Sequence, residues 1–366
     1  MSDGPPDAAP EMPETPAPLG DEPVGRKRRP RRGGKDSRRK PRDPSLPPRR
    51  PGSRQLYPRQ PLAPGKQTAG MQGLRAPEYV VIGQIVADIQ PDGTAILGGT
   101  ALYSALTASR LGWRVGVLTR GRYGEAVDGI AVPSLAPYAG EITIVTQDAE
   151  TPTFFVNEYH AGRRTQMIRR WAGEIDLRGL PPHWLNAKVI HLGPVCQEID
   201  ERQLGGLNPQ FLGCTPQGWM RHWPENGGRV RLEPLRMPSD LLTRLDAVVV
   251  SDEEIHLARD VVEWVGARRL GVITLGENGC RVIYGGQRAD LPGFPVKTVD
   301  LTGAGDVFAA AFFIRASQRG VSAIDAAKFA NVVAALSLTG VGPTCVPTLA
   351  DVEAALDEAA RRPIRR

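Results

Sequence analysis

Short apolar runs alternate with helical patterns along most of this chain after Pro77. Apolar strands that alternate with helices predict an α/β fold, with a mainly parallel sheet covered by helices on both faces. The predicted strands are Tyr79–Gly83, Ile144–Thr146, Thr153–Val156, Lys188–Gly193, Phe211–Gly213, Ala247–Ser251 and Gly271–Gly276. The predicted helices are Ala101–Leu111, Glu253–Arg269, Gly303–Gln318, Ala323–Leu338 and Leu349–Arg361. Ligands of such sheets bind at the carboxyl ends of the strands, so we expect the chemistry there.

The alternation fails over residues 141–172, which are rich in Thr, Val, Phe and Tyr. Turn residues at Asp148–Glu150 and His160–Gly162 indicate hairpins rather than strand–helix units. Together with a strand near residues 89–97, they predict a small sheet set off from the main domain. The pattern leaves two interpretations open: a lid over an active site, or a decoration of the sheet edge.

Residues 1–76 differ in composition from the rest. They hold 17 Lys/Arg, 8 Asp/Glu and 16 of the 34 prolines, whereas residues 77–366 carry a net charge of −3. The large aliphatic residues of this segment are too few to offset the entropy of ordering its backbone. We therefore predict a disordered basic tail over residues 1–76 and a folded domain over residues 77–366. The basic clusters of the tail either contact polyanions or are simply solvated.

The apolar runs, the N-terminus, and the spacing of cysteines and histidines disfavour several classes of protein. No apolar run reaches the roughly 18–20 residues that cross a bilayer, and the N-terminus lacks the order of a secretory signal, so we expect no membrane insertion. The four cysteines stand far apart, and the five histidines form no metal-binding doublet. We expect a reducing, cytoplasmic compartment.

The segment from Val299 to Ile314 carries the clearest chemical signal. Thr302–Gly305 reads Thr-Gly-Ala-Gly and opens a helix that is apolar or small on nearly every side, and so buried. Glycines at a helix start expose backbone amides to a ligand, and the helix dipole favours an anion such as phosphate there. Asp306, in the first turn, is then suited to accept a proton from an attacking hydroxyl. The alternative is an Asp that merely caps a buried helix.

Four blocks in order along the chain resemble the PfkB (ribokinase-like) family of carbohydrate and nucleoside kinases. Asp300–Phe308 is similar to the C-terminal signature of that family, and Gly98–Gly112 is similar to its N-terminal signature. Gly83–Asp88 resembles the first strand with its substrate-binding Asp, and Val272–Gly279 resembles the strand and turn beside the nucleotide. The resemblance covers roughly residues 78–360.

This resemblance implies a three-layer α/β/α domain and favours the lid for residues 141–172. It implies transfer of the γ-phosphoryl group of ATP, with Mg²⁺, to a hydroxyl of a small polyol, sugar or nucleoside. Asp306 would be the general base, and the backbone of Gly303, Ala304 and Gly305 the anion hole. The other implied contacts are Asp88, Gly98, Gly99 and Tyr103 for the substrate, Thr274, Gly276, Gly279, Thr302 and Asn331 for the nucleotide, and Glu254 for the metal. The resemblance leaves open a K⁺ requirement and a homodimer.

The chain also departs from the family pattern. Ser251 replaces the Asn of the family's Asn-x-x-Glu element, although Glu254 is kept. Tyr103 replaces an amide that contacts the sugar in ribokinases, so either it packs or it changes the substrate. Gln217–Arg221 resembles the Gln-Gly-x-x-Arg stretch of inositol-kinase-like members, which makes a cyclitol such as myo-inositol the leading substrate. The Arg221 side chain either meets phosphate or substrate or pairs with a surface acid, and we expect the surface role. The cations of Arg163–Arg170 face either substrate or solvent, and we expect solvent.

Three hypotheses of function follow. The first is an active kinase for a small polyol, sugar or nucleoside. The second is a kinase-fold protein that binds a ligand but catalyses poorly. The third is a protein that binds nucleic acid or an anionic surface through its basic tail. The Asp306 carboxylate favours the first over the second, because a binding protein has no need of a general base.

Overall fold

The computed structural model describes residues 66–68, 76–160 and 163–361 of the chain. The predicted basic tail therefore lies outside the described residues, except for Ala76 and the short strand Lys66–Thr68. That strand pairs antiparallel with Thr143–Asp148 at an edge of the main sheet.

The described strands and helices alternate only in part, since the strands between residues 115 and 214 follow one another with no α-helix among the described residues. The strands are β1 (Lys66–Thr68), β2 (Tyr79–Ile82), β3 (Val86–Ile89), β4 (Ala95–Gly98), β5 (Val115–Gly121), β6 (Ala126–Val127), β7 (Ile130–Ala131), β8 (Thr143–Asp148), β9 (Phe154–His160), β10 (Arg163–Arg170), β11 (Val189–Leu192), β12 (Phe211–Cys214), β13 (Arg221–His222), β14 (Gly228–Arg229), β15 (Arg231–Leu232), β16 (Ala247–Ser251), β17 (Leu270–Thr274), β18 (Cys280–Tyr284) and β19 (Gln287–Leu291). The helices are α1 (Thr100–Arg110), α2 (Gln217–Met220), α3 (Ser239–Arg244), α4 (Ile255–Arg268), α5 (Ala304–Ala316), α6 (Ala323–Ser337) and α7 (Leu349–Arg361). None of these helices is both long and apolar enough to cross a membrane.

The large sheet runs in the order β1-β8-β5-β2-β11-β12-β16-β17-β18-β19. Its strands from β8 to β17 pair in parallel, while β1, β18 and β19 add antiparallel edges. The mainly parallel sheet predicted from the sequence is therefore confirmed. Because the strands from β8 to β17 are parallel, their carboxyl ends share one edge of the sheet.

Two apolar cores cover the two faces of this sheet. In β2, Tyr79 and Val81 face the core that holds α1, α5 and α6. The intervening Val80 and Ile82 face the core that holds α3 and α4. Because both faces are buried, the central strands read as continuous apolar runs, and the layers are helix, sheet, helix.

A second, small sheet has the order β14-β10-β9-β3-β4. It contains the hairpin of β9 and β10, which lies in the predicted lid segment. Arg169 and Arg170 of that hairpin are exposed, as expected for solvent-facing cations.

The structure corrects the predicted composition of the small sheet in two places. The predicted strand near residues 89–97 is in fact a hairpin of β3 and β4. A turn reverses the chain there, because Gly93 has φ of 83° and Asp92 Oδ1 accepts a hydrogen bond from the Thr94 amide. Residues 143–148 of the predicted lid segment belong instead to the large sheet, as β8. Its adjacent Ile144 and Val145 are both buried, as in a strand covered on two faces.

Candidate active site

The carboxyl ends of the parallel strands open into a cavity of about 880 Å³ that is also lined by the small sheet. This volume is in the range of small-molecule sites. Ten of the fourteen predicted site residues line the cavity: Asp88, Gly99, Tyr103, Glu254, Thr274, Thr302, Gly303, Ala304, Gly305 and Asp306. Four do not line it: Gly98, Gly276, Gly279 and Asn331.

The start of α5 forms one wall of the cavity. Gly303 precedes the helix in a left-handed conformation, with φ of 79°, and a Cβ there would lie 2.5 Å from the ring of Tyr103. Gly305 is exposed, and no atom lies within 4 Å of the place a Cβ would take. The first amides of a helix have no carbonyl partner within the helix, and its dipole adds positive charge there. This end of α5 can therefore bind an anion such as a phosphoryl group.

Asp306 lies in the first turn of α5, and its Oδ1 accepts a hydrogen bond from Thr100 Oγ1 at 2.7 Å. Burial raises the pKa of this carboxyl to about 6; the Thr100 hydrogen bond and the charge of Arg221 oppose the rise, and Glu254 adds to it. A carboxyl with a pKa near 6 is ionised at neutral pH and is still basic enough to accept a proton. The geometry suits a general base better than a simple helix cap, since Gly303 occupies the cap position without a side chain.

Two residues beyond the predicted set lie next to Asp306. Gln217 Nε2 donates to Thr100 Oγ1 at 2.8 Å, and Arg221 Nη2 donates to Gln217 Oε1 at 2.8 Å. Both Gln217 and Arg221 line the cavity. The Gln217–Arg221 motif could be seen in the sequence. Its contact with Thr100 could not, because the two residues Thr100 and Gln217 are 117 positions apart and no local pattern links them.

The expected surface role of Arg221 is wrong. The residue is 8% exposed, and its Nη1 donates to the carbonyl of Val195 at 3.0 Å. Its guanidinium also lies 5.8 Å from the ring centre of Phe155. The burial of this arginine is offset by two oxygens, the Val195 carbonyl and Gln217 Oε1, which accept from its Nη1 and Nη2.

Asp88 lies on β3 within a chain of polar side chains. Its Oδ1 accepts from Asn157 Nδ2 at 3.1 Å, and Asn157 Oδ1 accepts from Gln166 Nε2 at 3.1 Å. Asn157 and Gln166 are direct cross-strand partners in the small sheet, which sequence reasoning missed. Gly98 makes room for the carboxylate, since a Cβ there would lie 2.6 Å from Asp88 Oδ2. Such a chain of donors and acceptors can recognise the hydroxyl groups of a ligand.

Tyr103 both packs and lines the cavity. The residue is 3% exposed, and its ring lies over Gly303. Burial raises the pKa of its phenol, and the carboxylates of Asp300, Asp306 and Asp88 raise that pKa further. Tyr103 is therefore neutral, and its ring packs against Gly303 just before α5.

Glu254 is the candidate metal ligand. Its Oε2 accepts from the Ser251 hydroxyl at 3.0 Å and from the Ser251 amide at 3.2 Å, while Oε1 accepts no hydrogen bond from a described residue. Across the described residues, no group of three or more His, Cys, Asp or Glu side chains could hold a metal ion. Mg²⁺ commonly uses one or two carboxylates together with water and substrate phosphates. The free Oε1 fits that pattern, and Ser251 orients Glu254 in the place of the family Asn.

The residues predicted to contact the nucleotide fall into two groups. Thr274 and Thr302 line the cavity. Gly279 and Asn331 instead contact the end of β19 and the loop after it. A Cβ on Gly279 would lie 2.2 Å from the carbonyl oxygen of Leu291, and Asn331 Nδ2 donates to the carbonyl of Pro292 at 3.0 Å. Gly276 has φ of 57°, which favours glycine in the turn after β17.

Comparison with known proteins identifies the relatives of this chain. The family model described as pfkB family carbohydrate kinase matches residues 243–349. The Arabidopsis thaliana protein named "Probable fructokinase-5" is 33% identical over 321 residues, which cover 76% of this chain and 96% of that protein. The inositol 3-kinase of Oryza sativa subsp. japonica is 36% identical over 143 residues, 38% of this chain and 35% of the relative.

A solved structure agrees with the fold. It is described as a pyrophosphate-dependent kinase in the ribokinase family, complexed with a pyrophosphate analog and myo-inositol. The TM-score is 0.61 at 21% sequence identity, and the match covers 76% of this chain and 99% of that one. At this identity the likeness concerns the fold alone, and it confirms the predicted three-layer architecture.

Proposed function

This chain belongs to the PfkB family of carbohydrate kinases and is a phosphotransferase with an alcohol group as acceptor, and on that premise we propose that it transfers the γ-phosphoryl group of ATP to a hydroxyl of a cyclitol such as myo-inositol. The observation that carries the proposal is one shared cavity. The Asp306 carboxyl, with a pKa of about 6, lines it beside Gly303, Ala304 and Gly305 at the start of α5.

In the proposed reaction, Asp306 accepts the proton of the acceptor hydroxyl. The hydroxyl oxygen forms a bond to the γ-phosphorus as the bond from that phosphorus to the β-phosphate oxygen breaks. The amides of Gly303, Ala304 and Gly305 receive the charge that develops on the transferring group. Loss of such stabilisation typically lowers the rate by ~10²–10³.

Thr274 and Thr302 line the cavity and would contact the nucleotide, whereas Gly276, Gly279 and Asn331 do not line it and would act through the loops that they shape. Glu254, oriented by Ser251, would hold Mg²⁺ together with the donor phosphates. When bound, Mg²⁺ neutralises phosphate charge and orients the phosphates.

Three features support a cyclitol as acceptor. Asp88 and Gln166 both line the cavity and are joined through Asn157, so they can bind neighbouring hydroxyls. Gln217–Arg221 keeps the stretch that resembles inositol-kinase-like members, and the rice inositol 3-kinase matches over about a third of its length. Tyr103 lines the cavity in place of an amide that contacts the sugar in ribokinases, which disfavours ribose.

A ketohexose is a second candidate, because the fructokinase relative matches nearly all of its own length. A panel of myo-inositol, fructose, ribose and cytidine separates these candidates, with ATP or pyrophosphate as donor and ³¹P NMR to detect the phosphorylated product. We expect the highest kcat/KM for myo-inositol with ATP. Preference for fructose would replace the cyclitol, and no product across the panel would leave a ligand-binding protein as the better hypothesis.

The predicted role of the basic tail is tested separately. We expect that a chain lacking residues 1–65 transfers phosphate at the rate of the full chain. Loss of binding to heparin or to anionic vesicles in the shortened chain, with unchanged catalysis, would assign the tail to polyanion binding alone.

A further inference from the structure

We propose that Arg221, Gln217 and Thr100 form a hydrogen-bond relay that positions Asp306 and reserves one of its carboxylate oxygens for the acceptor hydroxyl. The inference rests on the proposed role of Asp306 as general base. Gln217 and Thr100 would thus be positioning residues that act through the base.

The direction of each hydrogen bond follows from the chemistry of the end residue. A guanidinium only donates, so Gln217 must turn its Oε1 toward Arg221 Nη2. Its Nε2 then points to Thr100 Oγ1 and donates to it. With a lone pair of its oxygen engaged, the Thr100 hydroxyl directs its single proton to Asp306 Oδ1, 2.7 Å away.

The result is an Asp306 carboxylate with two unequal oxygens. Oδ1 accepts from Thr100, whereas Oδ2 accepts no hydrogen bond from any residue in the described part of the chain. The oxygen that carries no donor is the more basic of the two, and the proton of the acceptor hydroxyl should go there. The relay therefore determines which oxygen of Asp306 accepts the hydroxyl proton and how that oxygen is oriented.

The relay is held rigidly at both ends. Thr100 is fully buried and is the first residue of α1. Arg221 is fixed by its second hydrogen bond, to the carbonyl of Val195. Ser104, one turn further along α1, also donates to the backbone carbonyl of Asp306 at 3.2 Å, so α1 holds both the main chain and the side chain of the base.

Ionisable groups on several elements interact with Asp306. Arg221 follows α2, Glu254 precedes α4, and the phenols of Tyr79 on β2 and Tyr103 on α1 also interact with the carboxylate. The Thr100 hydrogen bond and the Arg221 charge favour the ionised carboxylate, and the Glu254 charge disfavours it. Loss of the Thr100 hydroxyl should therefore move the acidic limb of the pH profile to higher pH.

Isosteric variants of the full chain test the relay. We expect Thr100→Val to lower kcat and to raise the acidic limb of kcat/KM by roughly one pH unit. Gln217→Met should produce a smaller shift in the same direction, because the hydroxyl remains but is no longer directed. Thr100→Ser should restore the profile of the parent protein.

A double-mutant cycle separates the relay from direct substrate contact. If Gln217 acts through Thr100, then Thr100→Val with Gln217→Met should shift the limb no further than Thr100→Val alone. Thr107→Val is the matched control, since its hydroxyl on the same helix donates only to the carbonyl of Tyr103. It should leave the pH profile unchanged.

Different experimental results would overturn the relay and the proposed role of Asp306 as general base. An inactive Asp306→Asn variant with an unshifted limb in Thr100→Val, or additive shifts in the double variant, would overturn the relay alone. Normal turnover in Asp306→Asn would overturn the base itself. Should Thr100→Val fail to fold, Gln217→Met and Thr100→Ser carry the test, because Gln217 lines the cavity and Ser retains the hydroxyl.

Discussion

Replacing Asp306 by Asn should stabilise the protein while it removes the chemistry. Burial raises the pKa of this carboxyl from 3.8 to about 6. Each pH unit of such a shift corresponds to about 1.36 kcal/mol, so the ionised carboxylate destabilises the folded state by up to about 3 kcal/mol at neutral pH. Asn has the same shape and can still accept from Thr100. The free energy of unfolding should rise by up to about 3 kcal/mol, and turnover should fall at least ~100-fold.

The pH dependence of this gain gives a sharper test than its size. The folded state holds the Asp306 proton more tightly than the unfolded state, so the carboxyl does not destabilise the fold below pH 3.8, where both states are protonated. The penalty grows as the pH rises and is complete above about pH 6. Urea denaturation followed by tryptophan fluorescence should therefore show a larger difference between variant and parent at about pH 8 than at about pH 5.

Asp246→Asn provides the matched control. Burial also raises the pKa of Asp246, but this residue lies just before β16, at the amino end of the strand and away from the cavity. It should keep normal phosphoryl transfer. A gain for Asp306→Asn that is absent, or equal at both pH values, would refute the burial argument for this carboxyl.

Two further changes, at Gly303 and Glu254, alter other residues that line the cavity. Gly303→Ala should destabilise the fold by about 1–3 kcal/mol, because φ is 79° and the new methyl would lie 2.5 Å from the Tyr103 ring. Thermal unfolding measures this loss, and Gly205→Ala is the control, since no atom lies within 4 Å of the methyl it would add. Glu254→Gln should move the acidic limb of kcat/KM to lower pH, since Glu254 raises the pKa of Asp306, and it should raise the Mg²⁺ concentration that gives half-maximal rate. An unmoved limb would show that the Glu254 charge does not reach the base.

The sequence predicted the helices well because their signals are local. The predicted Leu349–Arg361 helix has the same limits as α7, and the predicted Ala323–Leu338 helix ends one residue beyond α6. Asp306 could be selected for a similar reason, since glycines and a carboxylate at one helix start fall within five residues. Turn chemistry at Asp92 and Gly93 was equally local, and it contradicts the single strand predicted near residues 89–97.

Contacts between segments that are distant along the chain could not be predicted from the sequence. Nothing near Arg221 shows that the Val195 carbonyl will receive its guanidinium, so its burial was missed. Nor does the pattern of residues 143–148 show which sheet they join, because apolar and threonine-rich strands suit both. Thr100 was overlooked for the same reason, since its partner Asp306 is 206 positions away.

That separation also bears on how the chain is made. The ribosome adds roughly 5–20 residues per second, so α1 emerges about 10–40 s before the first turn of α5 exists. During that interval the apolar side of α1, which later packs against α5, has no native partner to cover it. Thr100 therefore cannot orient the base until the ribosome has added the 206 positions that separate it from Asp306.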